Sequence, residues 1–165
     1  MGNMSSIKFG TDGWRAIIAK DFTYDNLTLV TRATANWIKE EKVTENGVVI
    51  GHDGRFEGRA FSEHVASVFV SEGIPVVMAS RMAPTPAVSW GAQYFDAVGI
   101  VITASHNPPA YNGYKIKAPF GGPATPAQIT EVEDRLDDVD ANIELKKYAD
   151  YVEDSAIREI DLTGK

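Results

Sequence analysis

The chain has 165 residues, of which 44% are hydrophobic and 24% are charged, as expected for one globular domain. A net charge of −7 argues against a general nucleic-acid binder, which normally presents a basic surface. The absence of cysteine excludes disulfides and thiolate metal sites, and no apolar run approaches the roughly 20 residues of a membrane span. We therefore expect a cytoplasmic protein without nucleic-acid or membrane partners.

Helices and buried strands alternate through the first part of the chain. Helices are predicted from apolar residues at helical spacing, and strands from short apolar runs rich in β-branched residues. In chain order the predicted elements are a helix over 24–42, a strand over 47–52, a helix over 56–72, a strand over 74–79, a helix over 86–94 and a strand over 97–103. Thr23 or Asp25 can cap the first helix, and Gly73 can end the second in a left-handed conformation. This alternation predicts parallel strands joined by right-handed crossovers.

The chain changes pattern after the strand over 97–103. A loop over 104–113 leads into a strand over 114–118. Because the loop is too short for a helical crossover, this strand is expected to run antiparallel to the preceding one. Asn112 and Gly113 supply a turn just before it.

The last part of the chain is acidic. Amphipathic helices are predicted over 126–139 and 146–160, the second ending the chain without a further strand. The expected fold is an α/β domain, a three-layer α/β/α sandwich around a mixed, mainly parallel sheet of about four strands. Residues 1–145 are expected to form this domain, and 146–165 a helix that leads toward a second domain. On that helix, Tyr148, Val152 and Ile157 are expected to be exposed and to face the second domain.

The segment over 103–115 reads T-A-S-H-N-P-P-A-Y-N-G-Y-K. It places Ser105 just after a buried strand, and sites in open α/β sheets gather at the carboxyl ends of the strands. Pro108 and Pro109 stiffen the loop without forming a helix. The turn before Lys115 allows that side chain to fold back toward Ser105.

Phosphorylation suits Ser105 better than hydrolase chemistry does. His106 is a sequence neighbour that would point away in an extended segment, and no G-x-S-x-G elbow is present. A phosphoserine carries about −1.5 to −2 charge and needs cationic neighbours. His106, Lys115, Lys117 and Arg15 are candidates for them.

Three segments together resemble one known family. F-G-T-D-G-W-R-A over 9–16, G-H-D-G-R over 51–55 and the serine segment occur in the order typical of the α-D-phosphohexomutases, the phosphoglucomutase/phosphomannomutase superfamily. The resemblance covers essentially the whole chain and identifies it with domain I, the N-terminal domain. Ala110 replaces a commonly acidic residue and Ala16 a frequent glycine, but the serine, histidine and lysine positions are retained.

The resemblance implies a mechanism and a role for five residues. Ser105 would carry a phosphate and pass it to a hexose monophosphate, and the resulting bisphosphorylated sugar would return its other phosphate, interconverting the 1- and 6-phosphates. Lys115 would be the general acid/base and Arg15 would face the phosphate. His106 would hydrogen-bond near the phosphate, and Asn107 would brace the loop. Asp53 is expected to cap the following helix and Arg55 to be structural.

The resemblance also implies cofactors and partners. Mg²⁺ would bind the phosphate oxygen on Ser105 and, mainly, a D-x-D-x-D-R loop of a second domain, and a hexose bisphosphate would serve as activator. The partners would be hexose phosphates, with glucose or mannose favoured by Y-N-G-Y-K, and the remaining domains of the same enzyme. This chain alone is therefore expected to be inactive. Two alternatives stay open: a non-catalytic module that binds phosphosugars or phosphopeptides, and a purely structural α/β domain.

Overall fold

The computed structural model describes residues 7–10 and 13–164. Its strands are β1 (Trp14–Ile17), β2 (Val48–His52), β3 (Val76–Ala79), β4 (Val98–Ile102), β5 (Tyr111–Lys117) and β6 (Ile157–Ile160). Its α-helices are α1 (Tyr24–Glu40), α2 (Gly58–Ser71), α3 (Thr85–Phe95), α4 (Pro126–Asp134) and α5 (Tyr148–Glu153), and a 3₁₀ turn spans Leu136–Asp138. Within the described ranges, no helix has the length and apolarity needed to cross a membrane.

All six strands form one mixed sheet in the order β1-β5-β4-β2-β3-β6. The strands β4, β2, β3 and β6 are parallel, whereas β5 runs antiparallel to both β4 and β1. The predicted reversal at β5 is therefore confirmed. Its register sets Lys115 opposite Val101, next to the end of β4.

Helices cover both faces of this sheet. On one face, α1, α2, α4 and α5 enclose a large core in which Trp37, Ile50 and Tyr114 are fully buried. On the other face, α3 packs Val88 against Val49. The predicted three-layer α/β/α sandwich is confirmed, and the β-branched runs form strands because their side chains are buried on both faces.

The predicted cap at the start of α1 and the predicted glycine at the end of α2 are also confirmed. The Thr23 hydroxyl accepts a hydrogen bond from the Asn26 amide at 3.1 Å, which satisfies one of the free N–H groups in the first turn of α1. Gly73 follows α2 with φ +83°, the left-handed conformation that glycine adopts without a Cβ clash.

The predicted count of about four strands is wrong, because two further strands extend the sheet at its edges. At one edge, β1 pairs with β5, setting Trp14 opposite Tyr114. At the other, β6 pairs with β3. Both strands are only four residues long. Such strands carry a weak local signal and form because pairing satisfies the backbone groups of the neighbouring strand.

The predicted helix over 146–160 is wrong after Glu153. The helix α5 ends there, and Ser155 takes a positive φ of +64° that turns the chain into β6. As a result Ile157 is only 1% exposed. The chain therefore ends in a strand of the same sheet, packed beside β3, instead of a helix.

The turn predicted at Asn112 and Gly113 is also wrong. Both residues lie inside β5, and the chain turns earlier, where the Tyr111 amide donates to the Pro108 carbonyl at 3.0 Å. Gly113 is needed for close packing: a Cβ there would lie 2.4 Å from the Thr103 carbonyl oxygen. The glycine lets β5, which carries Lys115, lie close to Thr103 at the start of the loop that carries Ser105.

His64 on α2 is a largely buried titratable group outside the serine loop. The Thr28 hydroxyl donates to the Tyr24 carbonyl, so it accepts from Nε2–H of His64 at 2.8 Å. Burial lowers the pKa of His64 below its ordinary value of 6.5. The folded protein therefore favours the neutral ring.

This shift predicts a pH-dependent stability. The unfolded chain protonates His64 before the folded chain does, so the contribution is complete above pH 6.5 and is lost as the pH falls below it. We expect the urea midpoint to fall more between pH 7.5 and 5.5 for the unchanged protein than for His64→Gln. His106→Gln, which removes an exposed loop histidine, is the control. Equal falls in the unchanged protein and His64→Gln would contradict this prediction.

Candidate active site

The loop between β4 and β5 presents Ser105 at the carboxyl end of β4. Ser105 is exposed and has φ +51°, a left-handed conformation that is uncommon for residues other than glycine. Its amide donates to the Thr103 hydroxyl at 3.0 Å. Such conformations persist where surrounding structure imposes them, and they concentrate at functional sites.

Lys115 reaches Ser105 directly. Its Nζ donates to Ser105 Oγ at 3.0 Å, within the range for proton transfer between two groups. The contact arises because β5 runs back along β4 and places Lys115 beside the end of the strand before Ser105. The sequence predicted this proximity, although it located the turn incorrectly.

Arg15 and Asn107 meet on the other side of the loop. The Arg15 Nη1 donates to Asn107 Oδ1 at 2.6 Å. The backbone amide of Asn107 donates to the Ala104 carbonyl at 3.0 Å. Arg15 lies on β1 opposite Gly113 of β5, so strand pairing brings it to the loop. Arg15 thus contacts the serine loop through the Asn107 side chain.

His106 lies apart from these contacts. It is exposed on the loop, and within residues 7–10 and 13–164 it has no hydrogen-bond partner. Its role near a phosphate stays a prediction.

Arg55 is the residue whose role in the loop the sequence did not locate. Its guanidinium donates to four loop carbonyls, at Ser105 (2.7 Å), Asn107 (2.6 Å), Pro108 (2.8 Å) and Tyr111 (3.0 Å). Arg55 was expected to be structural, and it supports the serine loop itself. The signal in the sequence was the G-H-D-G-R segment, but nothing local showed which residues it would contact.

Asp53 does not cap α2, contrary to expectation. Its carboxylate accepts from the Thr103 hydroxyl and from the Arg55 amide, the latter at 3.0 Å. The turn from Gly54 to Glu57 separates it from α2, which begins at Gly58 without a side-chain cap. Asp53 therefore links the loop that follows β2 to the loop that carries Ser105.

Ser105, Asn107 and Pro109 line one side of an open depression of about 440 Å³, and Asp53, Arg55 and Phe56 line the other. In the part of the chain that the structure describes, no group of three acidic or histidine side chains could hold a metal ion. Both Asp53 oxygens are hydrogen-bonded to protein groups. A metal at this loop would therefore need ligands from elsewhere.

A larger groove of about 600 Å³ lies between Phe9 and α4. Its charged residue, Glu133, accepts the Phe9 amide at 3.0 Å. The rest of the lining is mainly apolar or small, with Pro123, Ala124 and Ile129 among it. Ser105 lines the smaller depression and Lys115 Nζ contacts its hydroxyl, so we place the candidate active site there.

Comparisons with known proteins identify the family of this fold. Residues 6–142 match the family model described as phosphoglucomutase/phosphomannomutase, alpha/beta/alpha domain I. The phosphoglucomutase/phosphomannomutase of Thermococcus kodakarensis is 39% identical over 114 residues, covering 68% of this chain and 25% of that protein. The phosphoglucosamine mutase of Thermotoga sp. (strain RQ2) is 35% identical over 130 residues, covering 78% of this chain and 29% of that protein.

A solved structure has the same fold. The phosphoglucomutase/phosphomannomutase family protein of Burkholderia thailandensis superimposes with a TM-score of 0.73 at 26% identity, covering 98% of this chain and 34% of that one. The chain thus spans only about a quarter to a third of the length of these relatives. With its fold and motifs in the family's order, the chain belongs to the phosphoglucomutase/phosphomannomutase family, of which it is the α/β/α domain I.

Proposed function

We propose that this chain is the phosphoserine-bearing domain of a cytoplasmic enzyme that interconverts hexose 1-phosphate and hexose 6-phosphate, with glucose or mannose as the sugar. The observation that carries the proposal is the 3.0 Å contact between Lys115 Nζ and Ser105 Oγ at an exposed serine. Membership of a family whose relatives are named as mutases of sugar phosphates supports the reaction class.

The geometry suggests how the serine would exchange phosphate. When the sugar hydroxyl attacks the phosphorus of phosphoserine, its own proton passes to water, the bond to Ser105 Oγ breaks and the Lys115 ammonium gives a proton to that oxygen. In the reverse half, Ser105 Oγ attacks a phosphate of the bisphosphorylated sugar, neutral Lys115 takes the serine proton, and the departing sugar oxygen takes a proton from water. Positioning and charge neutralisation supply most of the catalysis of phosphoryl transfer. Arg15 would add positive charge beside the loop.

Mg²⁺ and the sugar would need more binding groups than the described residues of this chain supply. A phosphate on Ser105 would provide one oxygen ligand, and Mg²⁺, when bound, would neutralise charge on the transferring group. Its remaining ligands and the sugar-recognition loops would come from further domains of a longer protein. A hexose bisphosphate would act as the activator that loads Ser105.

The proposal predicts where phosphate is found. The longer enzyme, incubated with glucose 1,6-bisphosphate and Mg²⁺, should gain one phosphate on Ser105, because that hydroxyl is exposed and contacts Lys115. Phosphopeptide mass spectrometry locates the modification. Ser105→Ala should abolish it, and Ser89→Ala on α3 serves as the matched control.

Two results would contradict the proposal. Phosphate on Ser62 or Thr103 would mean that another hydroxyl is the acceptor. Binding of the sugar phosphate without any phosphate gain would indicate the alternative, a non-catalytic module for phosphosugars or phosphopeptides.

A further inference from the structure

Both terminal nitrogens of the Arg55 guanidinium donate to the protein backbone around Ser105. Its Nη1 donates to the carbonyls of Pro108 and Tyr111, and its Nη2 to those of Ser105 and Asn107. The side chain is only 13% exposed, and its Nε lies 3.8 Å from Asp53 Oδ2. Four of its five N–H donors are thus used by loop carbonyls, and the fifth faces the Asp53 carboxylate.

The two sides of the Ser105 backbone are held by one connected set of groups. The Ser105 amide donates to Thr103 Oγ1, whose hydroxyl donates to Asp53. The Ser105 carbonyl accepts from Arg55, whose own amide donates to Asp53. The hydrogen bonds of the Ser105 amide and of the Ser105 carbonyl therefore both lead, through Thr103 and Arg55, to the Asp53 carboxylate in the loop after β2.

This arrangement explains how a serine keeps a left-handed backbone in an exposed loop. Carbonyl oxygens of a free loop would turn outward to water and away from one another. The Arg55 cation lets four of them point inward at one centre, and that arrangement closes the loop around Ser105. The planar fork of arginine suits several acceptors at once, which a lysine ammonium does not reproduce.

We propose that Arg55, oriented by Asp53, is a positioning residue that holds Ser105 in its left-handed conformation and keeps its hydroxyl beside Lys115. Arg55 acts through the loop backbone and does not touch the substrate. The proposal rests on the role of Ser105 as phosphate acceptor for its functional meaning, but its structural content can be tested on this chain without any substrate.

The test is NMR of the unphosphorylated chain. The ¹³Cα and ¹³Cβ shifts of Ser105 report its backbone conformation, and exchange of the Asn107 amide reports loop closure. In Arg55→Met and Arg55→Lys we expect the Ser105 shifts to leave their left-handed values and the Asn107 amide to exchange about tenfold faster or more. The control is Arg81→Met, which breaks an exposed ion pair with Asp161 and should leave the loop signals unchanged.

The decisive readout is the comparison of lysine with arginine. Arg55→Lys keeps the charge, so Ser105 and Asn107 signals that remain as in the unchanged protein would overturn the proposal. If Arg55→Met fails to fold, Asp53→Asn replaces it. That variant retains the guanidinium but loses the carboxylate, and it should shift the same signals. Unchanged signals there would overturn the orienting role of Asp53.

The same variants separate this proposal from the proposed function. In the longer enzyme, Arg55→Lys should lower kcat and leave KM near that of the unchanged enzyme, because Arg55 contacts no substrate. If Ser105 never gains phosphate but its shifts respond to Arg55, the proposed function fails while the positioning role stands. If Ser105 gains phosphate but its NMR shifts do not change in the Arg55 variants, the proposed function stands and the positioning role of Arg55 fails.

Discussion

In the longer enzyme, Lys115→Ala should lower turnover about a hundredfold or more, the usual contribution of one general acid/base. The reason is the direct hydrogen bond from Lys115 Nζ to Ser105 Oγ, which is the atom that must lose and regain a proton. Steady-state kinetics measures the effect. The melting temperature should change little, since Lys115 is only partly buried and its hydrogen bond is to an exposed hydroxyl.

Lys115→Arg separates proton transfer from charge neutralisation. Arginine keeps the positive charge but does not deprotonate in proteins, so turnover should stay low if Lys115 moves a proton. Recovery of most of the activity would show that charge alone is needed. Lys39→Ala, at an exposed lysine on α1 paired with Glu72, is the control and should retain activity. Turnover near that of the unchanged enzyme in Lys115→Ala would contradict the catalytic role.

The second large effect concerns this chain by itself, which should fold but not turn over substrate. Folding is expected because the described residues form a sheet with helices on both faces and two buried cores. Inactivity is expected because the described residues place no cluster of carboxylates beside Ser105, and Asp53 is already hydrogen-bonded to Thr103 and Arg55. A phosphate there would remain exposed to water and poorly neutralised.

A coupled assay with glucose 1-phosphate, Mg²⁺ and a hexose bisphosphate measures this directly. Circular dichroism of the same sample checks that the chain is folded, and the full-length Thermococcus kodakarensis protein, assayed in parallel, checks the conditions. Turnover of about 1 per second or faster by the chain alone would show that its catalytic groups are complete.

The expected inactivity does not depend on an exposed helix after residue 146. The sequence predicted that Tyr148, Val152 and Ile157 would expose apolar surface toward another domain. Ile157 is instead buried in β6, and Tyr148 donates to Glu159 at 2.7 Å. The inactivity is expected because the described residues place no cluster of carboxylates beside Ser105.

The sequence by itself determined the elements whose signals are local. Apolar runs buried on both faces predicted the inner strands, and helical spacing with a cap at Thr23 and a glycine at Gly73 predicted α1 and α2. The short loop after β4 was enough to predict that β5 reverses direction, and hence that Lys115 returns toward Ser105. These features follow from spacing within a few residues, so no distant contact is needed to specify them.

Only the tertiary structure decided the contacts between distant segments. The edge strands β1 and β6 are too short to be recognised alone and form by pairing with β5 and β3. Arg55 and Ser105 are 50 residues apart, and their contact depends on β2 lying beside β4 in register. The left-handed serine is likewise stabilised from outside its own loop. The local backbone preference of a serine opposes that conformation, and the hydrogen bond that Arg55 donates to the Ser105 carbonyl and the one that the Ser105 amide donates to Thr103 offset it.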